Sequence, residues 1–94
     1  MKTGTATYKV PGGKPLRIDL TYENSIDAVK LTGDFFLHPE EALETITSSL
    51  CALALPLDAD EAIQQVEAAL AAQNAQLIGA TARDIVHTLA EALK

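Results

Sequence analysis

The sequence has one cysteine, two histidines and no tryptophan among its 94 residues. A lone thiol, Cys51, excludes an intramolecular disulfide. With only His38 and His87 beside it, a structural zinc site of the usual Cys/His kind lacks ligands, so no metal site is expected. Aromatic residues are scarce: Tyr8, Tyr22, Phe35 and Phe36 are all there are. No apolar run approaches the roughly 18 residues of a membrane span. The N-terminal MKTGTATYKV carries no apolar signal-peptide core, and the expectation is a soluble cytoplasmic protein. Basic side chains are few, 7 against 13 acidic ones, for a net charge of −6. That balance argues against a nucleic-acid partner and against an anionic membrane, both of which need a basic face. The length leaves room for a single domain over residues 1–94.

What positive charge there is lies unevenly. Residues 1–30 hold five basic and three acidic side chains, a net of +2. Residues 31–94 hold Arg83 and Lys94 against ten carboxylates, a net of −8. The aromatics fall in the first 36 residues and the alanines concentrate after residue 40. Both divisions mark a strand-rich segment followed by a helical one.

Period-two alternation predicts strands over about 5–10, 15–23 and 26–33. In the second, Leu16, Ile18, Leu20 and Tyr22 share one face and Arg17, Asp19, Thr21 and Glu23 the other. In the third, Ile26 and Ala28 are expected inward with Leu31, the register being ambiguous at Val29. Pro11-Gly12-Gly13-Lys14-Pro15 links the first two as a turn, and Glu23-Asn24-Ser25 the next two, giving an antiparallel meander. The period then changes. Helices are predicted over about 39–54, 59–74 and 82–93. Pro39 stands at the first helical position, Asp58 caps the second helix with Glu61 three residues on, and Thr81 caps the third. Residues 75–79 read as extended between the last two helices. The fold class is therefore α+β: a three-stranded antiparallel sheet with three helices on one face. Such a sheet leaves its other face open, as if for another protein surface.

Little in the chain reads as catalytic machinery. Cys51 falls in an apolar stretch and reads as a small buried hydrophobe in mid-helix. His38 precedes Pro39 at a helix start and reads as a turn residue, and His87 falls on a polar helix side. Gly12-Gly13-Lys14 lacks the G-x-x-x-x-G-K-[ST] spacing of a phosphate loop. Glu40, Glu41, Glu44, Glu61, Glu67 and Glu91 fall on solvated helix faces. Two segments stand out. Lys9-Val10-Pro11-Gly12-Gly13-Lys14 places two lysines around glycines whose backbone N–H groups are able to approach an anion. Thr32-Gly33-Asp34-Phe35-Phe36-Leu37 sets two adjacent aromatics at the passage from sheet to helix, where only one of them can face the core.

K-V-P-G-G-K-P-L-R-I-D-L together with L-T-G-D-F-F-L-H-P-E-E-A-L resembles the accessory, C-terminal domain of lipoate–protein ligase. The later A-Q-L-I-G-A-T-A-R-D-I-V is similar to that family's I-x-G-x-T-P-E-D segment, with Ala82 where the family often has proline. The resemblance runs from Tyr8 to about Leu93. It implies a fold like that of small iron–sulfur scaffold and sulfur-acceptor proteins. It also implies a stand-alone accessory subunit, not catalytic alone, that forms a heterodimer with a catalytic ligase subunit. ATP, Mg2+ and lipoate would be handled in that complex and none bound by this chain alone. The ligase forms lipoyl-AMP and passes the lipoyl group to a lysine of a lipoyl-acceptor domain or of the glycine-cleavage H protein. On this resemblance Gly12, Gly13 and Lys14 would meet substrate charge, with Lys9 and Arg17 as second choices. Asp34, Phe35 and Phe36 would dock on the partner. The alternatives are an adaptor module with no part in catalysis and a sulfur-acceptor or scaffold protein.

Overall fold

The computed structural model describes residues 2–12, 15–51 and 53–93. Three strands, β1 (Lys2–Lys9), β2 (Pro15–Tyr22) and β3 (Ile26–Gly33), form an antiparallel sheet in the order β1-β2-β3. Three helices follow: α1 (Glu41–Leu50), α2 (Ala59–Ala72) and α3 (Ala82–Ala92). Two short strands, β4 (Phe36–His38) before α1 and β5 (Gln76–Ile78) before α3, pair antiparallel as a separate ribbon. The α+β class and the meander stand as the sequence predicts. The paired ribbon is new, since only residues 75–79 were expected to be extended.

The sheet buries one face. Leu16, Ile18 and Leu20 of β2 are buried, and Ala6 and Tyr8 of β1 pack against the same core. α3 lies on β1 and β2, α1 lies on β3, and α2 packs on α1 and α3. Ile46 and Leu50, Val66, and Ile85 and Leu89 bring one buried stripe from each helix into that core. At ~25 cal/mol per Å2 this apolar burial is what holds so small a fold. No helix among the described residues is long and apolar enough to cross a membrane.

Several sequence expectations change. β1 begins at Lys2, and so includes Gly4, because the pairing with β2 continues to Lys2↔Tyr22. Ile26 and Leu31 are buried as expected, but Ala28 is exposed and Val29 half-buried. The cause is a bulge: Thr21 pairs with Ala28 but Tyr22 with Ile26, so Asp27 is an extra residue that flips the alternation. Helix α1 starts at Glu41 with Glu40 as its N-cap, two residues past Pro39, because β4 holds the chain extended through His38. It also stops at Leu50. Beyond it the Ile26 N–H donates to Leu53 O, the Leu55 N–H donates to Asn24 O, and Ser25 bridges Ala54. The chain must leave the helix to make that bridge, so Cys51 is a half-buried C-cap in extended geometry, not a mid-helix residue.

The other caps follow the sequence. Asp58 accepts from the Glu61 N–H at 3.2 Å, and Thr81 and Asp84 form a complete capping box. Helix α2 ends at Ala72, two residues before its expected end. Asn74 takes φ 50, and the Ala75 N–H reaches back to Leu70 O at 2.8 Å, a Schellman closure with asparagine in the glycine position.

Candidate docking surface

Both segments singled out in the sequence lie at one end of the molecule. The hairpin tip after β1 turns at Pro11-Gly12, where Gly12 has φ 72, a conformation glycine adopts without steric cost. Gly13 and Lys14, the centre of the expected charge contact, lie outside the described residues. The start of β2 is tied to the end of β3 by the Asp34 N–H donating to Pro15 O at 3.3 Å. Gly33 is required there, since a Cβ would sit 2.8 Å from Pro15 O and 3.0 Å from Phe35 Cδ1. Gly79, at φ 96, passes the backbone of Phe35. A shallow groove then separates Pro11-Gly12 from Thr81 and Arg83 at the start of α3. Three distant stretches thus share one end: the hairpin tip, the β3–β4 link and the β5–α3 junction.

The two aromatics divide their roles. Phe35 is half-buried against the core, while Phe36 is 56% exposed. Phe36 pairs across the ribbon with Ile78, itself 57% exposed. They are the exposed large hydrophobics among the described residues, and the ladder sets them side by side as one patch. His38, also exposed, stacks on Phe36 with centroids 6.3 Å apart. The sequence reading named Phe36 but missed Ile78, because a three-residue strand shows no periodicity to read.

The outer face of the sheet is polar. Thr3, Thr5 and Thr7 line β1, and Lys9, Arg17 and Lys30 supply positive charge. Arg17 is held by Asp19 on the same strand face, Nε to Oδ2 at 3.0 Å and Nη2 to Oδ1 at 3.1 Å. This pairing holds the Asp19 carboxyl below the usual carboxylate range, with Thr5 adding a further hydrogen bond and Lys30 a favourable charge. Arg17 is therefore matched locally. Lys9 makes no ion pair among the described residues. Arg83, which lines the groove opposite Gly12, is a cation the sequence reading did not place in the site. The signal was present, since it stands with Lys94 alone among ten carboxylates after residue 30.

Among the described residues no three His, Cys, Asp or Glu side chains gather as metal ligands. His87 is exposed, midway along α3, and lies against Tyr8 with ring centroids 4.4 Å apart. The surface offers cations, glycine backbone and an apolar patch, which suit contact with another molecule's anionic site.

No family model and no curated protein matches this chain. Among solved structures, it is similar to a chain from an archaeal lipoylation system, described as a bi-partite lipoate protein ligase and its E2 lipoyl domain from Thermoplasma acidophilum. The two superimpose with a TM-score of 0.67 at 19% identity, over 95% of this chain and 93% of the other, so the likeness extends over the whole of the fold.

Proposed function

We propose that this chain is the accessory subunit of a two-component lipoate–protein ligase. It docks on a separate catalytic subunit and supports ATP-dependent activation of lipoate to lipoyl-AMP, before transfer to a lysine of a lipoyl-acceptor domain or H protein. The observation that carries this reading is the end-to-end fold likeness to a chain of a bi-partite ligase system. The sequence motifs resembling the accessory domain support it, because they fall on the hairpin tip, the β3–β4 link and the β5–α3 junction that meet at one end.

The chemistry asks little covalent work of this chain. In adenylation a lipoate carboxylate oxygen attacks the α-phosphorus of ATP, and the bond to pyrophosphate breaks. Two anions must approach, and a third leaves. A cover carrying Lys9, Arg83 and the Gly12 turn lowers the repulsion and excludes water. Lys14 belongs to the same proposal, with its position outside the described residues. Magnesium would accompany ATP on the catalytic chain. The Phe36–Ile78 patch supplies apolar area for docking.

The test is complex formation with a catalytic ligase chain that lacks its own accessory domain. Co-elution as a heterodimer is expected, with Phe36→Ser and Ile78→Ser each weakening it. Separate elution at micromolar concentrations of both chains would overturn the reading.

A further inference from the structure

We infer that an extended segment of a partner chain, apolar on one side and carrying a lysine or arginine, adds as a fourth strand to the outer edge of β3. This deepens the docking reading and rests on it only in requiring a protein partner.

The edge is defined by hydrogen-bond parity. The Asp34 N–H donates to Pro15 O, so 15/34 is a hydrogen-bonded position of the β2–β3 ladder, with a single bond because proline has no N–H to return. Alternation along the register then turns Thr32, Lys30 and Ala28 toward β2. Val29, Leu31 and Gly33 turn their N–H and C=O groups away from β2, to the outer edge. The start of that edge is closed by Leu53–Leu55, through the bond from Ile26 to Leu53 and the Ser25–Ala54 bridge. From Val29 to Gly33 no backbone partner lies on that side among the described residues.

Beside this open stretch runs a groove between β3 and α1, lined by Leu31, Gly33, Phe36, Leu37 and Leu43, with Glu40 on its rim. An added strand would place alternate side chains into that apolar lining while its backbone satisfies the edge. Glu44 stands one helical turn beyond Glu40, so the rim is acidic and selects a basic residue on the incoming segment.

The opposite edge differs. On β1 the outward amides belong to Thr3, Thr5, Thr7 and Lys9. Lysines at both ends, Lys2 and Lys9, guard that strand, and an antiparallel second copy centred on it would set lysine against lysine. β3 carries one lysine, Lys30, which shares the polar outer face with its partner Asp19, so the other side of the β3 edge stays apolar-lined.

Proline substitution separates the two edges, because it removes one N–H and spares the β2 ladder where that N–H points outward. Val29→Pro is compared with Thr5→Pro, each checked for folding by circular dichroism. With the catalytic chain as probe, Val29→Pro is expected to weaken binding by about tenfold or more and Thr5→Pro by less than about twofold. Glu40→Lys, which leaves the backbone intact, is expected to weaken it by about fivefold. A second probe needs no ligase: a short synthetic peptide alternating valine with threonine and bearing one lysine. Saturating peptide should slow amide exchange at Val29, Leu31 and Gly33 by about tenfold and leave Thr3, Thr5 and Thr7 unchanged. Protection at β1, protection at neither edge, or self-association of the chain through β3 would overturn the inference. Failure with the catalytic chain but protection by the peptide would count against the ligase reading alone.

Discussion

Gly4 faces inward on β1 beneath the end of α3, and a Cβ there would collide with the Ala92 carbonyl. Nothing but glycine lets the helix end approach the strand so closely. Gly4→Ala should therefore destabilise the fold by about 1–3 kcal/mol despite improving strand propensity, the usual cost of overpacking. Urea unfolding of both forms measures it, and an unchanged midpoint would contradict the packing. Asp19 gives a pH signature. Its carboxyl is lowered in the folded state by Arg17 first and Thr5 second. A lowered group adds stability above the ordinary carboxylate value and loses it as pH falls through the lowered one. Asp19→Asn should thus narrow the gap between neutral and acid thermal midpoints, and the gain should be small because the pair is exposed. At this scale the buried strand residues were legible, since Leu16, Ile18 and Leu20 alternate without interruption. Thr88 was not. It is fully buried, but its hydroxyl donates to Asp84 O at 2.8 Å, and helix periodicity carries no sign of such a bond.

The elements show why their ends were harder to read than their existence. Side-chain hydroxyls of Thr45, Thr47 and Ser49 all donate to carbonyls three or four residues back, so the second half of α1 is built from weak helix formers. Its end is then decided by the bridge from Ala54 to Ser25, a contact between residues nearly thirty positions apart that no local pattern announces. The bulge at Asp27 is of the same kind: β2 and β3 each look regular, and only their pairing exposes the extra residue. Caps are local and were legible. Thr81 and Asp84 exchange bonds at 2.9–3.2 Å, so Thr81→Ala should lower stability by about 1 kcal/mol, read as a fall in thermal midpoint. A variant as stable as the parent would show that α3 is positioned by its buried face alone.

For the whole molecule, the charge division in the sequence becomes a division in space. The acidic excess decorates the helices, where Glu40, Glu41, Glu44, Glu61, Glu67 and Glu91 are all exposed. The cations gather on the sheet's outer face and around the hairpin tip, with Arg83 joining them from α3. Net charge thus describes the solvated layer and hides a local positive end. The Lys-Val-Pro-Gly-Gly-Lys and Gly-Asp-Phe-Phe segments were visible in the sequence because each is locally unusual. Their common location was not, since the Asp34–Pro15 bond and the β4–β5 ribbon arise only on folding. The most direct test of the account is formation of lipoyl-AMP and pyrophosphate by a catalytic ligase chain, with lipoate and ATP, in the presence and absence of this protein. The account predicts that adenylation depends on adding it, and falls by about tenfold when Lys9→Ala and Arg83→Ala are combined in a folded chain. Adenylation at the same rate without it would contradict the central claim.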